Sequence, residues 1–129
     1  MSEKRRILIV EDEPGTLNLI EQIVMRAGYE PVLARGGKEA LSMMQDGGID
    51  LVLLDLKMKG VDGWTVLMTL KADVQSSHVP VIIVTGKTPA EHRSKMESLS
   101  DLYEDYFIKP FEIDMLVARI AEVLQQSPD

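Results

Sequence analysis

One apolar run that ends in a carboxylate constrains the fold of this chain more than any other feature. Residues Leu51 to Leu54 read LVLL, and Asp55 follows immediately. Such a run is typical of a parallel strand with helices over both faces, although a buried helix segment could show the same run. The turn residues Gly60 and Gly63 that follow favour the strand. A charged side chain at the end of a buried strand costs free energy unless it is paired or functional.

Other short apolar runs alternate with amphipathic stretches along the whole chain. The predicted strands are 6–10, 31–34, 51–54, 79–84 and 105–108, and the predicted helices are 14–27, 39–45, one from Gly63, one capped by Thr88, and 113–125. This alternation predicts an α/β fold with a doubly wound, five-stranded parallel sheet and helices on both faces. The length of 129 residues suits a single domain, 1–129, with a polar tail at about 126–129.

Composition excludes several classes of function. The net charge of −7 argues against direct binding to nucleic acid, whose phosphates would be repelled. The absence of cysteine excludes disulfides and thiolate metal sites. Near the N-terminus only Ile7 to Val10 is continuously apolar, which is too short for a signal peptide core or a membrane span. We therefore expect a cytoplasmic protein that does not bind membranes.

Polar residues follow the carboxyl ends of four of the predicted strands. They are Glu11 and Asp12 after the first, Asp55 after the third, Thr85 after the fourth and Lys109 after the fifth. The carboxyl ends of parallel strands share one edge of the sheet, where open α/β folds bind ligands. We therefore expect these side chains to lie together.

The types of residue in this set point to phosphoryl chemistry. Carboxylates held close together repel one another, and a hard divalent cation relieves that repulsion. A few carboxylates with waters and a phosphate suit magnesium better than calcium. A lysine and a hydroxyl add donors for phosphoryl oxygens, and an aspartate can itself accept a phosphoryl group. The set predicts magnesium-assisted phosphoryl transfer onto Asp55.

Four motifs in register carry a resemblance to a known family. ILIVEDE, LVLLDLKMKGVDG, VPVIIVTG and DYFIKPF occur in this order. Over essentially its whole length the chain resembles the receiver domain of two-component response regulators, in the single-domain form of the chemotaxis regulators. The resemblance implies a flavodoxin-like sheet with the strand order 2-1-3-4-5.

The resemblance also implies roles for the acidic residues. Asp55 would be the phosphoacceptor, taking a phosphoryl group from a sensor histidine kinase or a phosphotransfer protein. Asp12, the Asp55 carboxylate and the backbone carbonyl of Lys57 would ligate Mg²⁺ (or Mn²⁺). Glu11 would act on the ion mainly through water.

A further group of residues would respond to the phosphoryl group. Lys109 would pair with its oxygens, with Gly86 beside it, and Thr85 would swing toward it. Tyr106 would rotate inward as Thr85 moves. The surface of the fourth helix, fifth strand and fifth helix would then bind a downstream partner or output domain, with the chain a monomer or a weak phosphorylation-dependent dimer.

Two departures from the family pattern stand out. Lys59 takes a place where many members have proline, and Leu102-Tyr103 replaces a small pair, typically Gly-Ala. The second departure concerns the fourth helix and its loop, and hence the partner surface. The single tryptophan, Trp64, is expected in the core.

Alternative functions remain open from the residues. A haloacid-dehalogenase-type phosphohydrolase also uses an aspartate nucleophile and magnesium, but it needs a second aspartate where this chain has Lys57. An interaction module that works without phosphorylation is the other alternative. The chain would thus be a regulatory phosphoacceptor rather than a conventional enzyme, acting alone or as the receiver of a longer protein.

Overall fold

A computed structural model describes residues 3–86 and 90–126, where a parallel sheet is covered by helices on both faces. The strands are β1 Arg6–Val10, β2 Glu30–Ala34, β3 Leu51–Leu54, β4 Val81–Thr85 and β5 Asp105–Ile108. The helices are α1 Pro14–Arg26, α2 Gly37–Gln45, α3 Gly63–Ala72, α4 Ala90–Ser98 and α5 Ile113–Gln126, with a 3₁₀ turn at Ser100–Leu102. None of the described helices is long and apolar enough to cross a lipid bilayer.

The strand order is β2-β1-β3-β4-β5, all parallel, which confirms the predicted flavodoxin-like sheet. In the register, Val10 of β1 lies beside Leu54 of β3, and Leu54 lies beside Ile83 of β4. The carboxyl ends of these strands therefore share one edge of the sheet, with β4 extending two residues further, to Thr85. Strand β2 lies at an edge, where Pro31, which has no N–H to donate, is tolerated.

Alternate strand residues build two separate apolar layers, one on each face of the sheet. On the face covered by α2 and α3, the strands contribute Leu8, Val10, Val52, Leu54, Val81 and Ile83. On the face covered by α1 and α5, they contribute Ile7, Ile9, Leu51, Leu53, Ile82 and Val84. The central strands are buried on both faces, which explains their unbroken apolar sequence. Trp64 packs in the first layer with 2% of its surface exposed, as expected.

Some predicted boundaries differ from the observed ones for local reasons. Helix α2 begins at Gly37, not at residue 39, and Gly37 lies so close to the segment before α3 that a Cβ would lie 2.7 Å from the Val61 carbonyl oxygen. Strand β4 begins at Val81 rather than Val79, since the Val79 amide donates to the Ser76 carbonyl in a turn. The predicted helix start at Thr88 and Pro89 and the tail 127–129 lie outside the described residues.

Candidate functional site

Asp55 and Glu11 follow the two central strands and are fixed by the sheet. Asp55 is 4% exposed and Glu11 is 2% exposed. The Asp55 amide donates to the Val10 carbonyl and the Glu11 amide donates to the Ala34 carbonyl, each at 3.0 Å. The hydrogen-bond ladder thus continues one residue past the strands, and it places both carboxylates at the carboxyl edge.

Asp12 completes a cluster of three carboxylates with Glu11 and Asp55. Each of the three residues offers one carboxylate oxygen, and these oxygens lie within 4.8 Å of one another. Glu11 and Asp55 are buried, whereas Asp12 is half-buried. Because every donor is a hard carboxylate oxygen, the chemistry of the set fits a magnesium-type cation.

Lys109 reaches this cluster from the end of β5 and pairs most closely with Glu11. Its Nζ lies 2.5 Å from Glu11 Oε1 and 3.7 Å from Asp55 Oδ2. Burial raises the pKa of Glu11, and the Asp55 charge adds to that rise, while the hydrogen bond from Lys109 opposes it. The lysine therefore lies between two carboxylates and partly offsets their repulsion.

Asp55 also accepts hydrogen bonds from the end of β4 and from the loop that follows β3. The Thr85 hydroxyl, at the end of β4, donates to Asp55 Oδ1 at 2.7 Å, and Thr85 is 2% exposed. The Lys57 amide donates to the same oxygen at 3.2 Å, with the Lys57 side chain exposed. Since Thr85 already contacts Asp55, the expected movement of this side chain would be a change of hydrogen-bond partner rather than a long swing.

Two backbone donors at the site come from residues for which the sequence analysis predicted no hydrogen bond. The Glu13 amide donates to Glu11 Oε2 at 3.1 Å, so both oxygens of Glu11 are engaged by the chain itself. The Lys59 amide donates to Asp12 Oδ2 at 3.0 Å. A proline at position 59 would have no N–H for this bond, which gives the departure noted in the sequence a structural consequence.

Gly63, at the start of α3, is a further site residue that the sequence analysis treated only as a turn signal. Its amide donates to the Leu56 carbonyl at 3.1 Å. A Cβ on Gly63 would overlap the Asp55 carbonyl oxygen and lie 2.5 Å from Leu56 Cα. Helix α3 can therefore approach the backbone of Asp55 only because this residue has no side chain. A glycine at the first position of a helix is the signal that could have indicated this contact.

The remaining predicted residues belong to β5 and to the end of β4. Gly86 follows β4 and is half-buried. Tyr106 lies in β5, half-buried against the layer that contains Trp64, with its ring centroid 6.2 Å from that of Tyr103. Tyr103 in turn lies 6.5 Å from the Trp64 ring.

Curated proteins similar to this chain include transcriptional regulatory proteins. This chain is 36% identical over 124 residues to the transcriptional regulatory protein PcoR of Escherichia coli. The match covers 95% of this chain and 53% of that protein. The chain is 31% identical over 122 residues to the phosphate regulon transcriptional regulatory protein PhoB of Klebsiella pneumoniae, covering 95% and 52%. The chain thus spans about half the length of these relatives.

Solved structures similar to this chain share its fold throughout. A CheY-like response regulator receiver domain protein from Methanospirillum hungatei matches with a TM-score of 0.87 at 27% identity, covering 97% of both chains. Response regulator protein TrrA from Thermotoga maritima, solved in complex with Mg(2+)-BeF, matches with a TM-score of 0.80 at 30% identity, covering 92% of this chain and 98% of that one.

The family described as response regulator receiver domain matches residues 7–121, most of the chain. The matched range includes both the carboxylate cluster and Lys109. This chain therefore belongs to the receiver domain family of the two-component response regulators.

Proposed function

We propose that this chain is a phosphorylation-controlled signalling switch that accepts a phosphoryl group on Asp55. The observation that carries the proposal is the surroundings of Asp55. A hydroxyl hydrogen bond from Thr85, the Lys109 ammonium at 3.7 Å and two further carboxylates converge on one nearly buried carboxylate. A structural aspartate at a strand end needs no such set.

A divalent cation, Mg²⁺ or Mn²⁺, would be held by Asp12, Asp55 and the backbone carbonyl of Lys57. When bound, it would offset the negative charge that builds up between the carboxylates and the incoming phosphoryl oxygens. Glu11 would act through water, because Lys109 and the Glu13 amide already engage its two oxygens.

In the transfer step, an Asp55 carboxylate oxygen forms a bond to phosphorus while the bond from phosphorus to the donor breaks. The donor is a phosphohistidine of a sensor histidine kinase or phosphotransfer protein, and its imidazole leaves with the bonding pair. Lys109 then exchanges part of its contact with Glu11 for the phosphoryl oxygens, and Thr85 donates its hydroxyl to one of them, beside Gly86. Attack of water on the aspartyl phosphate later releases inorganic phosphate and restores the carboxylate.

The output surface would be formed by α4, β5 and α5, with Tyr106 of β5 linking it to the acceptor. The exposed large apolar side chains of β5 and α5 include Ile108 at 49% and Met115 at 63%. Beside them Arg119 of α5 binds Asp105 of β5 at 2.9 Å. A partner protein or an output domain would bind this surface in the phosphorylated state, with the chain a monomer or a weak dimer. We expect these events in the cytoplasm, without direct contact between this domain and nucleic acid.

The intact mass of the chain after incubation with acetyl phosphate tests this function. The wild type should gain the mass of one phosphoryl group when magnesium is present and none when magnesium is chelated. Asp55→Asn should gain none under either condition. Asp46→Asn, which alters an exposed carboxylate at the end of α2, is the matched control and should behave as the wild type does. An adduct of equal amount on Asp55→Asn would contradict the assignment.

Separate assays with small phosphate esters and with partner proteins test the two alternatives. A phosphohydrolase would release phosphate from small phosphate esters in many turnovers. We expect none, because the exposed Lys57 stands where a second aspartate would be needed. A phosphorylation-independent module would form no adduct even with its cognate kinase, and Asp55→Asn would bind partners as the wild type does.

A further inference from the structure

Tyr103 connects three elements on the side of the sheet that carries the proposed output surface. It lies between the 3₁₀ turn and β5 and is half-buried. Its ring lies 6.5 Å from the Trp64 ring of α3 and 6.2 Å from the Tyr106 ring of β5. Its hydroxyl donates to the Met96 carbonyl of α4 at 2.8 Å.

Helix α4 offers little apolar surface for packing within the part whose side chains the structure describes. Of its side chains at 93–98, whose burial the structure describes, all are exposed except that of Met96. Helices in proteins depend mainly on packing an apolar face, and the sequence of α4, AEHRSKMES, offers almost none. The described contacts of α4 lie near its carboxyl end, where Met96 packs against the apolar layer and its carbonyl accepts a hydrogen bond from Tyr103.

The Met96 carbonyl is one of the groups that a helix cannot satisfy by itself. The last carbonyls of a helix have no intrahelical amide to accept from. Here the Leu99 amide donates to the Lys95 carbonyl at 2.9 Å, and the Tyr103 hydroxyl donates to the next carbonyl, that of Met96. Tyr103 thus acts as a side-chain cap on the end of α4.

We propose that Tyr103 is a positioning residue that couples Tyr106 to α4. The proposal rests on the proposed function, since it takes phosphorylation of Asp55 as the event that moves Tyr106. Tyr103 touches Tyr106 through its ring and α4 through its hydroxyl, so a new position of Tyr106 changes the contact that holds the end of α4. A small residue at this place would provide neither contact.

The test compares amide hydrogen exchange in the wild type and in Tyr103→Phe, with and without beryllium fluoride and magnesium as a phosphoryl mimic. The reporters are the amides of Leu99 and Leu102, which donate to the Lys95 and Leu99 carbonyls at 2.9 Å each. Tyr103→Phe keeps the ring and removes only the hydroxyl. Tyr29→Phe, a half-buried tyrosine in the opposite layer, is the matched control.

Without the mimic, Tyr103→Phe should exchange about fivefold faster at these amides, the fold-change expected for one lost hydrogen bond of ordinary strength. In the wild type and in Tyr29→Phe, the mimic should change the exchange rate of the reporters. In Tyr103→Phe that mimic-dependent change should be lost, although the adduct with acetyl phosphate forms to the same extent. A purely structural role would alter the first measurement and leave the second unchanged.

Two outcomes overturn the proposal. One is reporter exchange in Tyr103→Phe equal to that of the wild type without the mimic. The other is a mimic-dependent change that is as large in Tyr103→Phe as in the wild type, or missing from both. A wild type that forms no phosphoryl adduct contradicts the proposed function itself, and this result is recognised separately by mass. Because the coupling then has no trigger, that result also overturns the coupling.

Discussion

At the scale of single residues, the acceptor carboxylate is held by donors that a phosphoryl group can also use. Lys109 lies closer to Glu11 than to Asp55, and Thr85 donates directly to Asp55 Oδ1. Neither donor has to travel far to reach an oxygen bound to Asp55. If Asp55 accepts a phosphoryl group as proposed, donors for the charge of the product are already in place, which is the arrangement that favours transfer.

Removing the Thr85 hydroxyl should weaken the phosphorylated state. In Thr85→Ala the phosphoryl oxygens lose the hydroxyl donor proposed for them, so the phosphorylated state should lose about 1 kcal/mol and the steady-state adduct with acetyl phosphate should fall about fivefold. Thr85→Ser keeps the hydroxyl and is the matched control. Intact mass measures both variants, and an alanine variant that accumulates as much adduct as the serine variant would exclude this role.

Glu13 gives a prediction about pH. Its carboxylate caps α1 by accepting from the amides of Gly15 and Thr16, and these bonds, that to Gly15 first, hold its pKa below its ordinary value of 4.5. A carboxyl with a lowered pKa stabilises the fold above its unfolded pKa, and that contribution is lost as pH falls through the folded pKa. The difference in unfolding free energy between the wild type and Glu13→Gln should thus be largest near neutral pH and shrink below pH 4.5.

Urea unfolding in the presence of a chelator measures this difference across the pH range. Chelation keeps a bound cation from adding its own pH dependence near Asp12. A difference that stays constant from neutral to acid pH would show that the Glu13 charge does not contribute to the cap.

At the scale of elements, the start of α3 determines where the acceptor backbone lies. Gly63 contacts the backbone of Asp55 and Leu56 without a side chain between them. The β3–α3 connection also sends the Lys59 amide to Asp12. A displacement of the start of α3 would therefore move the proposed phosphoacceptor and a proposed metal ligand together.

Gly63→Ala should destabilise the fold and impair phosphorylation at once. The added methyl group overlaps backbone atoms that cannot rotate away, which should cost about 1–3 kcal/mol of unfolding free energy. Gly36→Ala is the matched control, because no atom lies within 4 Å of the added Cβ and the φ of −178° is extended. Urea unfolding and adduct yield test both variants. Equal stability of the two would mean that the contact relaxes at little cost.

The elements differ in how far the sequence could predict them. The strands followed from the apolar runs, because an unbroken short apolar run is typical of a strand buried on both faces. Their order followed from the family motifs. The early start of α2 at Gly37 and the role of Gly63 did not follow, since each depends on how closely a second element approaches. Likewise the sequence predicted that the carboxylates lie at one edge of the sheet. It did not predict that Lys109 lies closer to Glu11 than to Asp55, because no motif records such distances.

At the scale of the whole molecule, the proposed cation site in the carboxylate cluster would link stability to cation binding. Glu11, Asp12 and Asp55 lie close together in the folded chain, where their charges repel, and unfolding separates them. A cation that binds only the folded state stabilises it by mass action. The unfolding free energy of the whole chain can therefore report whether a cation binds at the carboxylate cluster.

Magnesium should raise the unfolding free energy by about 2.7 kcal/mol at roughly a hundred times its dissociation constant. Asp12→Asn should lose most of this gain, because it removes one proposed ligand, while Asp46→Asn should keep it. Thermal unfolding with and without a chelator provides the comparison. An equal gain in Asp12→Asn and in the control would remove Asp12 from the metal site.

The most direct test of the central claim is to locate the phosphoryl group by chemical trapping. Borohydride reduces an aspartyl phosphate to homoserine, so fragment masses of the trapped chain identify the acceptor without any substitution. We predict homoserine at position 55 alone, formed only when magnesium accompanied the acetyl phosphate. Trapped product at Asp12, or at any other carboxylate in place of Asp55, would contradict the assignment of Asp55 as the phosphoacceptor.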